Sequence, residues 1–375
     1  MNTTTTTTTT TTRLRLLDRL QLTKPIVQAP MAGVTTPALA AAVSNEGALG
    51  SLGMGAMNAE TARKAIRETK ALTGKPFNVN VFCHQPASPD AEVDRHWTDW
   101  LAPRFAQFGA KPPQTLKEVY VSFVDDPAML AMLIEERPAV VSFHFGLPSR
   151  AAIDALHAAG IVLFAAATSV DEAAQAVAAG VDVLVAQGIE AGGHRGVFDP
   201  DGRDGLLGTF ALTRLLVSSF DVPVVAAGGI MDGAGIAAAL ALGAEAAQLG
   251  TAFVACPETS IDEGYRRTLL SDAARQTTFT TAISGRVARS IVNRFTELGD
   301  APDKPAVPAY PVAYDAGKAL HAAAKAHGEF GYGAQWAGQA APLVREMPAA
   351  ELTRTLHRET ETAVAALRER LGIAG

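Results

Sequence analysis

The chain has 375 residues, 48% of them hydrophobic and 19% charged, and Lys+Arg 32 against Asp+Glu 38 leaves a net charge of −6. A single core stops growing near ~250–300 residues, so one domain with a substantial addition is the length prior. No Lys/Arg block stands out, which removes the electrostatic footprint of a nucleic-acid or anionic-membrane partner.

The first twelve residues are a Met, an Asn and a threonine run ending at Thr12. They lack the basic start and apolar stretch of a signal peptide and read as a disordered low-complexity tail. Two cysteines, Cys83 and Cys256, make no disulfide framework. No run of about 18 apolar residues lacks Gly and polar breaks, so no membrane span is expected. A reduced, cytoplasmic protein is the expectation.

From about residue 24 one theme repeats: a short apolar run, a small-residue turn, then an alanine-rich helical stretch. The runs are 25–29, 48–52, 77–82, 139–145, 161–167, 181–187, 222–227 and 246–249. Most are rich in β-branched residues and continuous rather than alternating, as strands buried on both faces are. Helical candidates lie between them at 37–44, 59–72, 150–159, 170–179, 208–218 and 233–242, two of them stopped by Gly180 and Gly243. Eight such units with right-handed crossovers predict an α/β fold, a (β/α)8 TIM barrel of about 250 residues. An open doubly wound sheet is the alternative.

Two stretches break the alternation. Residues 84–138 are long for one crossover and contain Trp97 and Trp100, so a helical insertion is expected there. Residues 258–375 are expected to form a smaller, mainly helical domain, leaving 13–257 as the barrel. The last helix, near 348–371, is expected to return to the barrel's outer ring.

In a barrel of this kind the site lies at the carboxyl ends of the strands, with phosphate often at the last two turns. Those turns read Ala227-Gly228-Gly229-Ile230-Met231 and Gln248-Leu249-Gly250-Thr251. Glycines let backbone N–H groups approach an anion, and Thr251 adds a hydroxyl. The sixth run ends in Gln187-Gly188-Ile189-Glu190-Ala191-Gly192-Gly193-His194, which presents His194 among glycines. His144, ending the fourth run, reads equally as a site residue or as a hydrogen-bonding neighbour of one.

Absences narrow the chemistry. No lysine occurs between Lys117 and Lys304, so strands four to eight carry no Schiff-base nucleophile. His144, His194 and Glu190 lack a metal-ligand spacing, and no metal is expected. A phosphate-anchored cofactor that brings its own chemistry, with flavin mononucleotide (FMN) the leading case, explains the pattern better.

At this point the chain resembles the class I nitronate monooxygenases, the FMN-dependent group formerly called 2-nitropropane dioxygenases. The resemblance runs from about Arg13 over nearly the whole length. It rests on Pro25-Ile26-Val27-Gln28-Ala29-Pro30-Met31, Pro76-Phe77-Asn78-Val79-Asn80-Val81-Phe82-Cys83-His84, the Ala-Gly-Gly-His loop, the two phosphate turns and Trp336-Ala337-Gly338-Gln339. FMN-dependent enoyl-thioester and NAD(P)H:quinone reductases share the barrel motifs and remain the alternative. Tyr310, Tyr314 and Lys318 are more specific: on a helix the spacing of four and four would place them on one face, and in the class I enzymes the triplet is a signature.

The resemblance implies that Ala29, Met31, Asn80, Gln187, Gly192, Gly193, Gly228, Gly229 and the run Gln248, Leu249, Gly250 and Thr251 hold FMN. It implies His194 as the catalytic histidine, and His144, Tyr310, Tyr314 and Lys318 as neighbours of a small anionic substrate. The implied reaction is oxidation of alkyl nitronates, propionate 3-nitronate foremost, by O2 to an aldehyde plus nitrite or nitrate, without reduced nicotinamide. A monomer and a homodimer both remain open, and Arg286 and Arg289 are left unassigned between carboxylate binding and surface ion pairs.

Overall fold

The computed structural model describes residues 15–88 and 90–373. The threonine run, residues 1–12, lies outside them. In chain order the strands are β1 (Ile26–Gln28), β2 (Gly50–Gly53), β3 (Phe77–Phe82), β4 (Val140–His144), β5 (Val162–Ala167), β6 (Val183–Gln187), β7 (Gly193–His194), β8 (Val224–Ala227), β9 (Ala246–Leu249), β10 (Thr277–Thr280) and β11 (Ala288–Ile291). Eight of them form one parallel sheet in the order β1-β9-β8-β6-β5-β4-β3-β2. A parallel bridge between Val27 and Leu49 joins its two edges, so the sheet is a barrel.

The eight expected runs all become barrel strands, two of them, Phe77–Phe82 and Ala246–Leu249, with unchanged bounds. The reason is burial on both faces: β4, β5 and β6 are buried at nearly every position, so only continuous apolar runs fit. Outer helices start where a side chain receives an orphan N–H. Asn58, Ser149, Ser169 and Asp232 cap the helices Ala59–Leu72, Arg150–Ala158, Val170–Ala179 and Gly233–Ala241, each such cap stabilising by about 1 kcal/mol.

Three features position the site. The helix Arg15–Leu20 brings Leu16, Leu17 and Leu20 against Val27, Val140, Phe164 and Val225, closing the amino-terminal end of the barrel. The helix Ala349–Leu371 packs on Gly233–Ala241 and Pro37–Asn45, the place a repeated unit would give the eighth outer helix. The helix Ala91–Ala106 packs on Ala313–Lys325, and Trp97, Phe105, Phe295, Leu320 and Tyr332 share a core above the carboxyl ends of the strands.

The segment after residue 258 differs from the helical expectation in one respect. β10 and β11 form an antiparallel sheet with β7, the loop strand that carries His194. Four-residue strands containing Thr and Arg carry no apolar run, so only the tertiary pairing reveals them.

Candidate active site

The carboxyl ends of the strands surround a cleft enclosing ≈ 1370 Å³ of space continuous with solvent. Its floor and one side are strand ends and turns: Ala29 and Met31 after β1, Asn80 in β3, His144 in β4, Gln187 in β6, Gly228 and Gly229 after β8, and Gln248, Gly250 and Thr251 around the end of β9. Gly192, Gly193 and His194 come from the β7 loop, and Tyr310 and Tyr314 close the opposite side. Among the described residues no Asp, Glu, Lys or Arg lines it.

Two expected residues stand elsewhere. The Leu249 side chain is buried in the core outside the barrel, and only its carbonyl, which accepts Ala29 N–H at 2.8 Å, serves the strand end. Lys318 is exposed, its Nζ 4.4 Å from the centre of the Tyr120 ring and 5.5 Å from that of Tyr314. Tyr310 precedes the helix Ala313–Lys325 rather than lying on it, yet its ring centre is still 6.1 Å from that of Tyr314.

The β7 loop is held from several directions. Gln187 Nε2 donates to the His194 carbonyl at 2.9 Å, and Gln187 Oε1 accepts Gly196 N–H at 2.7 Å. Arg195, buried, forms a two-point pair with Asp204 at 2.7 and 3.0 Å and donates to the carbonyls of Gln187 and Gly188. Ala288 stands opposite His194 in the ladder. A histidine so fixed keeps its orientation without a ligand.

His194 Nε2 lies 2.9 Å from Ser284 Oγ. That hydroxyl donates to the Arg286 carbonyl at 3.0 Å and accepts Arg286 N–H at 3.3 Å. A hydroxyl has one proton, so with it committed to the carbonyl, Nε2–H donates and Nδ1 keeps the lone pair. The tautomer is thereby assigned from the network. Burial, then His144 and Arg286, holds the His194 pKa well below its usual value, and the ring is neutral. His144 is lowered to about 3, again chiefly by burial.

Around His194 stand Phe145, Tyr310, Tyr314 and Trp336, with ring centres 5.2 to 5.9 Å away. The Tyr310 hydroxyl is buried and has no hydrogen-bond partner. Burial raises its pKa well above the usual value, so it stays a donor. The Tyr314 phenol is raised for the same reason and receives a hydrogen bond from the Trp336 side chain, leaving its own proton to give.

Arg286 and Arg289 are buried, and among the described residues neither is ion-paired. Arg289 donates to the Ile189 carbonyl and covers the Phe279 ring at 4.0 Å. Arg286 donates to the Val197 carbonyl and stands 4.3 Å over the Phe145 ring. It is buried, and burial lowers its pKa to about 10. Still positive at neutral pH and without a paired carboxylate, it favours anions in the cleft.

Sequence reasoning missed Tyr120, Ser284, Phe145 and the role of Arg286. Tyr120 sits in an aperiodic part of the insertion yet lines the cleft, its ring centre 5.5 Å from that of Tyr314. Only the juxtaposition of distant segments marks these residues.

The donor set suits a ligand carrying a phosphate and an aromatic ring system. Gly228 (φ +127) and Gly229 (φ +69) keep the turn after β8 in a conformation that bares backbone to the cleft, and a Cβ at Gly250 would stand 3.5 Å from that of Ala29 and 3.7 Å from Met31 Sδ. No lining carboxylate opposes an anion there.

A barrel whose carboxyl face carries an uncharged cleft and a fixed, neutral histidine defines an enzyme of the (β/α)8 class. Comparison with known proteins makes this particular. A family model described as Nitronate monooxygenase matches residues 14–359. The chain is 68% identical over 354 residues to the nitronate monooxygenase of Paraburkholderia phytofirmans, across 94% of this chain and 97% of that one. It is 56% identical over 340 residues to that of Pseudomonas aeruginosa, across 91% and 97%. Among solved structures, a nitroalkane oxidase from Streptomyces ansochromogenes superposes with TM-score 0.84 at 41% identity, covering 94% of this chain and 99% of that one. FabK from Thermotoga maritima does so with TM-score 0.73 at 31% identity, covering 96% and 100%. The chain belongs to the nitronate monooxygenase family and is an oxidoreductase.

Proposed function

We propose that this chain binds FMN and oxidises small alkyl nitronates, propionate 3-nitronate foremost, with O2 to an aldehyde plus nitrite or nitrate. The observation that carries the reading is the cleft's division of labour. One end is glycine-turn backbone with no carboxylate, which suits a phosphate. The other is a wall of phenols and imidazole with an unpartnered Tyr310 hydroxyl, which suits a small anion.

Ala29, Met31, Asn80, Gln187, Gly192, Gly193, Gly228, Gly229, Gln248, Gly250 and Thr251, which line the cleft, would hold FMN, with Leu249 contributing backbone alone. FMN, when bound, supplies the one-electron chemistry that lets a nitronate react with O2. The protein's own groups bind and orient. Tyr310 and Tyr314 donate to the nitronate, Arg286 favours its charge from behind Phe145, and Lys318 with Tyr120 flanks the entry. His144 adds a second neutral imidazole to the wall.

His194 has a role that depends on the substrate. A nitronate has already lost its α-proton, whereas a neutral nitroalkane has not. Nδ1, the basic position of the ring, can take that proton. A general base contributes about 10²–10⁴-fold, and only where there is a proton to take.

The test is oxygen uptake by purified, FMN-loaded protein on adding propionate 3-nitronate without NAD(P)H. Fast uptake is expected. Bound FMN that NADH reduces rapidly, with no uptake on nitronate, would replace this reading with a nicotinamide-dependent reductase.

A further inference from the structure

The helix Ala349–Leu371 changes character along its length. Its first half buries Ala349, Leu352, Thr353, Leu356 and Thr360 against the barrel's outer helices. Beyond Thr360 it has left that surface, and every residue from 364 to 371 is exposed. A helix surrounded by water is expected to be polar all round. This one is not: Val364, Leu367 and Leu371 are 37%, 50% and 63% exposed and continue the buried face at steps of four, three and four from Thr360. That spacing is the seam by which one helix packs on another.

The charges beside the seam indicate what covers it. Glu361 and Arg368 are seven residues apart and so lie on the same flank, acidic where the exposed stretch begins and basic towards its end. Among the described residues Glu361 has one ion-pair contact, with His357 at 3.7 Å, and Arg368 has none. Two such helices crossing antiparallel would set Glu361 of each copy towards Arg368 of the other. A parallel crossing would put this flank of the two copies on opposite sides of the seam, where Glu361 and Arg368 do not meet.

We propose that residues 361–371 are a self-association surface on which two copies of this chain pair antiparallel, Val364, Leu367 and Leu371 forming the seam. The surface is separate from the cleft, and the proposal stands independently of the reaction assigned to it.

Sedimentation velocity on the full chain, from about 1 to about 100 µM, tests it. A two-copy species that grows with concentration is expected. Leu367→Glu should weaken association at least about tenfold, with helicity by circular dichroism and specific activity retained. Glu361→Arg should weaken it as well, and Glu361→Arg with Arg368→Glu should restore it, a recovery that a folding defect cannot imitate. A monomer across the whole range, or a dimer indifferent to Leu367→Glu, overturns the surface. Failure of the double reversal to recover association overturns the antiparallel arrangement. If Leu367→Glu does not fold, the two exposed charge positions decide alone.

Discussion

Tyr310 carries a buried hydroxyl with no hydrogen-bond partner among the described residues. Such a group is a cost to folding of about 1–3 kcal/mol unless water or ligand meets it. Tyr310→Phe is therefore expected to leave the melting temperature unchanged or slightly raised. A hydrogen bond to an anion contributes about 1.5–3 kcal/mol, so KM for propionate 3-nitronate should rise about 10- to 100-fold. An unchanged KM would remove Tyr310 from the binding site. His194 makes the opposite kind of prediction, because its effect depends on whether a proton must move. His194→Asn should lose about 10²–10⁴-fold more activity on nitroethane than on propionate 3-nitronate. Equal losses on both would end its assignment as base. Should the unaltered enzyme ignore nitroethane, His194 is an anion neighbour only.

The elements explain what was legible and what was not. The barrel strands were readable because burial on both faces permits only continuous apolar runs, and the outer helices because caps and glycine stops punctuate them. Gly228, Gly229 and Gly250 were readable because a strand followed by glycine at a fixed place in a repeat has one geometric meaning. Ser284 and Arg286 were not, since they act on His194 through a two-residue strand whose partner lies about ninety positions away in the chain. Arg15–Leu20 was missed because six residues show too little periodicity to be called a helix. The docking of the last helix can be tested at one atom. A Cβ on Gly233 would stand 2.2 Å from Thr360 N and 2.3 Å from Glu359 C, both backbone, so neither neighbour can rotate away. Gly233 N–H also donates to Glu359 at 3.1 Å, and Glu359 pairs with Arg345. Gly233→Ala should destabilise by about 2–4 kcal/mol through overpacking and the lost contact. A urea midpoint unchanged from the parent would show that the helix is not held there.

At the scale of the whole molecule, the cap over the barrel brings three imidazoles together, His84 buried and His144 and His194 half-buried on the cleft wall. His84 has both ring nitrogens buried without a hydrogen-bond partner among the described residues, Nε2 standing 3.9 Å from Glu118 Oε1, and its pKa is lowered to about 4, chiefly by burial and then by Arg286. His144 is lowered to about 3 and His194 well below its usual value, burial leading in both. An unfolded histidine titrates near ~6.5. The unfolded chain therefore binds protons below that pH that the folded chain does not, and stability is lost as pH falls. Each of the three contributes a slope of about 1.4 kcal/mol per pH unit once its unfolded form is protonated, about 4 kcal/mol per unit together. The window opens near pH 6.5 and narrows near about 4, where His84 begins to protonate in the fold as well. Carboxylates held low, such as Glu136 under Lys70, Arg67 and Arg63, add their own loss only towards their ordinary range below it. Urea unfolding at pH 7.5, 6.0 and 5.0 should thus show a fall of about 2 kcal/mol over the first interval and a steeper one of about 4 kcal/mol over the second. His84→Phe, at a residue that stands behind the cleft wall with its ring edge-on to Tyr310 at 4.9 Å, should reduce that fall by about a third. Stability that stays level down to pH 5.0 would mean that the cap opens to solvent and lets these rings take up protons in the folded state.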